Sequence, residues 1–138
     1  MADPFVHTLR VRYHECDAQG IVFNANWLAY FDVTLTEWFR EMFGSYGALV
    51  ESGSDVVLAE TTLTFRGPAR FDDELAVSVA IERLGNTSMV ALFTARRDGE
   101  ALVQGRTVYV FVDPGSMGKR EIPALTRERL APYVNSTG

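Results

Sequence analysis

Residues 27–43 have the sequence WLAYFDVTLTEWFREMF, and this stretch decides the fold. Large apolar side chains recur in it at helical spacing, and a narrow polar stripe runs along Asp32, Thr36 and Arg40. The apolar positions are Trp27, Tyr30, Phe31, Leu35, Trp38, Phe39 and Met42. A helix with so wide an apolar surface must be covered by other structure. We therefore predict one long, wrapped helix that stops at Gly44.

The segments on either side of this helix have the pattern of strands. Alternating or β-branched stretches predict strands at residues 7–13, 56–66, 74–84, 87–97 and 101–113. Glycine-containing turns at 85–86 and 98–99 join the later strands, and short turns imply antiparallel neighbours. The sequence thus predicts an α+β fold in which a five-stranded antiparallel sheet wraps around one long helix.

Length and composition limit the classes of protein to consider. The 138 residues suit a single domain, 1–138, with a core at about 5–130, a looser tail from 114 and a short helix at 126–130. A net charge of −5 argues against a nucleic-acid partner. We see no apolar run long enough to cross a membrane and no signal peptide. The single cysteine fits a reducing compartment, so we expect a cytoplasmic protein with no membrane partner.

The residues that can do chemistry are concentrated directly before the helix, where residues 14–20 are HECDAQG. A helix start offers unpaired backbone N–H groups and the positive end of a dipole, which together stabilise an oxyanion. A carboxylate beside it, such as Asp17, can act as a nucleophile or as a base toward water. The alternative is that Asp17 only shapes a turn. Asn24 and Asn26 are candidates to cap the helix.

Other kinds of site have little support in the sequence. The two histidines and the one cysteine do not have metal-ligand spacing, and there is neither a glycine-rich phosphate loop nor a serine elbow. Because His14 and Cys16 would face the same side of an extended segment, a Cys–His nucleophile is a further alternative. The structural alternative is that Cys16 serves only as a small buried apolar residue. We expect no metal and no cofactor.

Four motifs resemble a known family. Residues 13–27, YHECDAQGIVFNANW, resemble the signature of the 4-hydroxybenzoyl-CoA thioesterase-like hotdog family. Thr36-Glu37, residues 68–73 (PARFDD) and residues 112–114 (VDP), with Lys119-Arg120 and Ile122-Pro123 after them, resemble later motifs of that family in the same order. The resemblance covers residues 5–130, approximately.

The resemblance implies a hotdog fold, a homodimer or homotetramer, and hydrolysis of an acyl-CoA thioester. It implies that Asp17 is the catalytic group and that the backbone N–H of Phe23 or Asn24 binds the oxyanion. It also implies a pocket between subunits that residues 57–61 of a second copy line. Substrate-binding candidates are Gly20, Asn26, Glu37, Ala59, Thr61, Thr87 and Ser88. Candidates for contact with the phosphates of coenzyme A are Arg66, Arg70, Arg83, Arg96, Arg97 and Arg120.

The sequence departs from the resembled pattern at two positions. Asn24 stands where many of these thioesterases have His, so chemistry assisted by that His is not available here. Leu35 stands where relatives often have Arg, which alters the pocket or the subunit contact. Three other functions remain open: a thioesterase for acyl groups on a carrier protein, a hotdog hydratase, and a non-catalytic acyl-CoA binding module.

Overall fold

One long helix and five strands make up most of the structure, a computed structural model that describes residues 3–134. The strands are β1 (Phe5–Arg10), β2 (Asp55–Phe65), β3 (Glu74–Leu84), β4 (Ser88–Arg97) and β5 (Glu100–Val112). The helices are α1 (Asn26–Phe43), α2 (Tyr46–Glu51) and α3 (Ala124–Leu130). Two short 3-10 turns, Tyr13–Glu15 and Ala131–Tyr133, complete the elements. The predicted α+β class with one antiparallel five-stranded sheet is confirmed.

The strand order in the sheet is β1-β3-β4-β5-β2. The short connections at residues 85–87 and 98–99 form hairpins, as predicted. β2 and β3 follow one another in sequence but are not neighbours in the sheet, because β2 pairs with β5. Three strand spacings separate β2 from β3, roughly 14 Å in all, and residues 66–73 cross that gap at the end of the sheet. The Arg66 and Gly67 N–H groups both donate to the Leu102 carbonyl on the way.

The inner face of the sheet encloses α1. All seven apolar side chains that define the predicted helix are buried. Midway along it, Phe31 stacks on Phe93 of β4 with ring centroids 5.0 Å apart. Gly105 of β5 lies against the same ring, and a Cβ there would come within 2.7 Å of Phe31 Cε2. The helix therefore lies as close to the sheet as the backbone of β5 permits.

The structure differs from the prediction at the end of β1 and at the cap of α1. β1 ends at Arg10 rather than at residue 13, and Tyr13 is 80% exposed in a turn. The turn forms because the Arg12 N–H donates to the Glu15 carboxylate at 2.7 Å. Neither Asn24 nor Asn26 caps α1, since Ala25 occupies that position without a side-chain bond. The predicted stop at Gly44 is confirmed by its φ of 86°.

Among the strands that the structure describes, β1 and β2 lie at the two edges of the sheet. β2 is the longer edge, with eleven residues, and it carries the apolar side chains Leu58 and Phe65, which are 47% and 49% exposed. A long edge strand with exposed apolar side chains is a surface that proteins normally cover. This edge therefore suits contact with a second chain.

The close approach of α1 to β5 predicts a strong effect of one small substitution. Gly105→Ala should lower the free energy of unfolding by about 1–3 kcal/mol, because the new methyl group overlaps the Phe31 ring. Urea unfolding monitored by circular dichroism measures the change. Gly47→Ala in α2 is the matched control, because its Cβ would meet only Ser45 Oγ at 3.8 Å. A Gly105→Ala protein as stable as the Gly47→Ala protein would contradict the close contact between Gly105 and Phe31.

Candidate functional site

A tight loop presents Asp17 before α1. The Asp17 N–H donates to the Ile21 carbonyl at 2.8 Å, and the Gly20 N–H returns to the Asp17 carbonyl at 2.9 Å. Gly20 adopts a φ of 78°, which a residue with a side chain rarely does. Asp17 Oδ1 accepts the Gln19 N–H at 2.8 Å, so the turn-shaping role is present. Within residues 3–134, Asp17 Oδ2 has no hydrogen-bond partner and remains available for chemistry.

The backbone donors at the start of α1 are not equivalent. The Phe23 N–H donates to the Glu15 carbonyl at 2.9 Å, so it is already used. Of the two predicted oxyanion donors, Phe23 and Asn24, this bond leaves Asn24 available, and its role stays a prediction. The N–H of Asn24 has no partner in the described part of the chain, and it lies at the positive end of the α1 dipole. Asn24 is therefore the better candidate.

Glu15 ties the Asp17 loop to α1. Its carbonyl accepts Asn26 Nδ2 at 2.7 Å in addition to the Phe23 N–H. Its carboxylate accepts the Arg12 N–H at 2.7 Å and the Tyr30 hydroxyl at 2.9 Å. Burial and the bond to Glu15 raise the pKa of Tyr30, which keeps that hydroxyl a donor at neutral pH. Asn26 Nδ2 is thus committed to the loop, and the predicted contact of Asn26 with the substrate stays a prediction.

Sequence reasoning missed the roles of Glu15 and Tyr30. Tyr30 counts as an apolar member of the helix pattern, and nothing in that pattern shows that its hydroxyl has a partner fifteen residues away. Glu15 is one of several polar residues in the loop segment. The one available signal is the spacing of three between Arg12 and Glu15, which allows a carboxylate to cap the N–H three residues before it.

The turn at residues 68–73 forms the neighbouring wall of the site. The Val22 N–H donates to the Ala69 carbonyl at 2.9 Å, and Ile21 forms a bridge with Arg70. Asp73 fixes the turn by accepting the Arg70 N–H at 2.8 Å and Arg97 Nη1 at 2.7 Å. Two motifs that are about fifty residues apart in sequence therefore meet beside the Asp17 loop.

A groove of about 510 Å³ adjoins the start of α1. Asn24 is on its wall, and the rest of the lining is largely apolar: Ile21, Val22, Trp27, Phe65, Gly67 and Pro68. Asp17 is not among the residues that line it. Arg66 and Arg70 flank the groove along the chain, so their predicted contact with phosphate stays a prediction. The groove has the size and the apolar walls of a small-molecule site.

The other residues predicted to contact the substrate either bond to another residue or lie away from the Asp17 loop. Glu37 pairs with Arg40 at 3.3 Å on the helix surface. Thr61 shares a hydroxyl hydrogen bond with Thr107 at 2.8 Å, and Ala59 lies exposed at the bulge in β2. Thr87 and Ser88 lie at the opposite end of β3 and β4 from the Asp17 loop. One chain does not bring these last two to Asp17, because β3 spans about 33 Å between the two ends.

The Cys–His alternative loses its geometric basis. Residues 13–15 form a turn instead of an extended segment, so a spacing of two does not place His14 and Cys16 on one face. The Cys16 thiol lies 3.9 Å from the Arg12 carbonyl and packs against the core. In residues 3–134, no group of His, Cys, Asp and Glu side chains could hold a metal ion, and no helix is long and apolar enough to cross a membrane.

Comparison with known proteins identifies relatives of this chain. The family model described as "Thioesterase superfamily" matches residues 19–104. The acyl-CoA thioester hydrolase YbgC of Escherichia coli is 32% identical over 118 residues, which are 83% of this chain and 87% of that protein. The structure of a protein from Aquifex aeolicus is 28% identical, with a TM-score of 0.85 over 92% of this chain and 99% of that one.

A third comparison concerns the fold alone. A Staphylococcus aureus protein whose structure contains CoA has a TM-score of 0.89, covering 99% of this chain and 87% of its own. The two sequences are only 14% identical. The backbone arrangement of this chain therefore persists in proteins whose sequences have diverged widely.

The contact between Tyr30 and Glu15 predicts that this pair stabilises the loop. Tyr30→Phe should lower the free energy of unfolding by about 1–2 kcal/mol, because a partly buried carboxylate loses a hydrogen bond. Chemical denaturation measures the change. The matched control is Tyr13→Phe, since the Tyr13 side chain is exposed and its hydroxyl has no partner in the described residues. Equal stability of the two variants would show that the bond contributes nothing.

Proposed function

Since the chain belongs to the thioesterase superfamily and is a thioester hydrolase, we propose that its substrates are acyl-CoA thioesters. The observation that carries this proposal is the presence, on the short segment that leads into α1, of a backbone donor and a carboxylate oxygen that both lack a partner within residues 3–134. The unpaired Asn24 N–H lies at the start of α1, and the unpaired Asp17 Oδ2 lies in the loop before it. The 32% identity to an acyl-CoA thioester hydrolase supports coenzyme A as the carrier.

In the proposed reaction, the thioester carbonyl oxygen accepts the Asn24 N–H and the α1 dipole stabilises the charge that develops on that oxygen. Asp17 Oδ2 attacks the carbonyl carbon, and the C–S bond breaks to release the coenzyme A thiolate and leave a mixed anhydride. Water then cleaves the anhydride, which yields the free acid and regenerates the Asp17 carboxylate. The alternative is that Asp17 takes a proton from a water molecule that attacks directly. Both routes end in the same products.

One carboxylate and one backbone donor suit the hydrolysis of a thioester. A thiol has a pKa of about 8.5, so it leaves as a thiolate without an obligatory acid. The absence of a histidine at Asn24 is then compatible with turnover, since no group has to protonate the leaving sulfur. The Gln19 N–H holds Asp17 Oδ1 and fixes the direction of Oδ2. The proposed reaction needs no metal and no cofactor.

Acyl groups on a carrier protein remain the second candidate substrate. The chemistry at Asp17 and Asn24 would be the same, and the difference would lie in the surface that recognises the carrier. A net charge of −5 disfavours docking of an acidic carrier. Hydrolysis of one acyl group presented on coenzyme A and on a carrier protein distinguishes the two. We also propose a cytoplasmic location, which fits the free thiol of Cys16.

We propose that the protein is a homodimer or homotetramer that pairs along β2. The exposed Leu58 and Phe65 side chains support contact at this edge. In such an assembly, Ala59 and Thr61 of β2 would face the site of a second copy, as the resemblance implies. Sedimentation velocity should show two or four chains per particle at micromolar concentration. A monomer at the concentration of the activity assay would contradict this proposal.

The central prediction concerns Asp17. Asp17→Asn should lower kcat by about a hundredfold or more with little change in KM, because the amide is neither a nucleophile nor a base. Release of free thiol from a panel of short, long and aromatic acyl-CoAs measures both constants. Asp98→Asn is the matched control, since Asp98 lies exposed in the β4–β5 turn with a φ of 52° that Asn tolerates.

Two results would contradict the proposal, each in a different part. If Asp17→Asn retained wild-type turnover, the mechanism would be wrong although the enzyme class would stand. If the wild-type protein hydrolysed none of the acyl-CoAs, a carrier-bound substrate or a binding role would replace the proposed function.

A further inference from the structure

Residues 15–23 form a small hairpin, with Asp17 on its first arm and Asn24 directly after its second. Cys16 and Val22 form an antiparallel bridge between the two arms. Backbone hydrogen bonds flank this bridge on both sides. The distance between the proposed nucleophile and the proposed oxyanion donor is therefore set by the shape of this hairpin.

The hairpin needs support from the rest of the protein, because arms this short do not hold a hairpin together in water. On the first arm the support comes through Glu15. Its carboxylate atom Oε1 accepts both the Arg12 N–H at 2.7 Å and the Tyr30 hydroxyl at 2.9 Å. On the second arm the Val22 N–H donates to the Ala69 carbonyl. The two arms therefore have different anchors.

Tyr30 is the rigid end of the anchor on the first arm. It lies in the second turn of α1 and is only 5% exposed. Its ring packs edge-on against Trp27, with the ring centroids 5.3 Å apart. Because a closely packed ring keeps one rotamer, the position of the hydroxyl follows the helix. The bond to Glu15 therefore ties the first arm of the hairpin to the body of α1.

Tyr30 and Glu15 lie away from the groove beside Asn24. Neither is among the described residues that line it. Both border a different groove, of about 770 Å³, between β1 and α1. Their contact can therefore influence a reaction beside Asn24 only through the position of the hairpin.

We infer that Tyr30 is a positioning residue: its hydroxyl, through the Glu15 carboxylate, holds Asp17 at its working distance from the oxyanion donor. The inference rests on the proposed thioesterase activity and adds a residue to the machinery of that site. Attack on a bound carbonyl requires reacting atoms about 3–3.5 Å apart, and a misplacement of about 1 Å can cost a hundredfold in rate. A smaller shift of the first arm is enough to slow the attack without weakening the binding of the substrate.

The alternative is that the bond between Tyr30 and Glu15 contributes to stability alone. Tyr46 allows the two cases to be separated, because its hydroxyl donates to the Asp55 carboxylate at 2.6 Å in a similarly part-buried place. Asp55 is the first residue of β2, whereas the groove beside Asn24 meets this strand at its last residue. Tyr46→Phe is therefore a matched control that loses the same kind of contact far from the hairpin.

The test compares kcat and KM of Tyr30→Phe, Tyr46→Phe and the wild type on one acyl-CoA that the wild type hydrolyses. Tyr30→Phe should lower kcat by about tenfold and change KM by less than about twofold. Tyr46→Phe should keep the wild-type kcat. All three proteins are assayed well below their unfolding temperatures, and circular dichroism gives the folded fraction by which each kcat is corrected.

Substitutions of Glu15 show whether Tyr30 acts through it. Glu15→Gln keeps a side-chain oxygen that can accept both bonds, so kcat should stay within about threefold of the wild-type value. Glu15→Ala removes the acceptor, and kcat should fall at least as far as in Tyr30→Phe. Adding Tyr30→Phe to Glu15→Ala should cause no further fall, because the hydroxyl then has no carboxylate to hold.

Several results would overturn the inference and leave the thioesterase activity intact. These are a wild-type kcat in Tyr30→Phe, an equal fall of kcat in Tyr30→Phe and Tyr46→Phe, and a further fall in the double variant. A raised KM with an unchanged kcat in Tyr30→Phe would assign the hydroxyl to substrate binding instead. A wild-type protein that hydrolyses no acyl-CoA would overturn the proposed function, and this inference with it.

Discussion

The rest of the structure depends on how closely the sheet encloses α1. The stacking of Phe31 on Phe93, above a β5 backbone that has only a hydrogen at Gly105, sets the distance between helix and sheet. Aromatic rings contribute large buried areas, and a stacked pair adds directional contact. Because the helix axis is fixed in this way, its first residue is fixed as well. The donor at Asn24 then occupies a set position at the start of one rigid element.

The loop that carries Asp17 gains its order from a different set of contacts. Glu15 bonds to the loop and to α1 through both its carbonyl and its carboxylate. The turn at residues 68–73 supports the loop from the other side through Val22 and Ala69. A catalytic group has to be held within a fraction of an ångström of its working position. The short loop achieves this with backbone bonds and one Asx turn, and Asp17 itself provides that turn.

The two interpretations of Asp17 therefore do not exclude each other. One carboxylate oxygen shapes the turn and the other has no partner within the described residues, so the structural role orients the group for the proposed chemical one.

The sequence by itself determined the elements, because local periodicity decides them. The apolar repeat of residues 27–43 identified α1, the alternation identified the strands, and the motif before the helix identified Asp17 and Asn24 as candidates. Only the tertiary structure decided that β2 pairs with β5, that the Phe23 N–H is already bound, and that Thr87 and Ser88 lie at the far end of the sheet. These facts depend on hydrogen bonds between segments that are distant along the chain. The sequence does not show which carbonyl will accept a given backbone N–H.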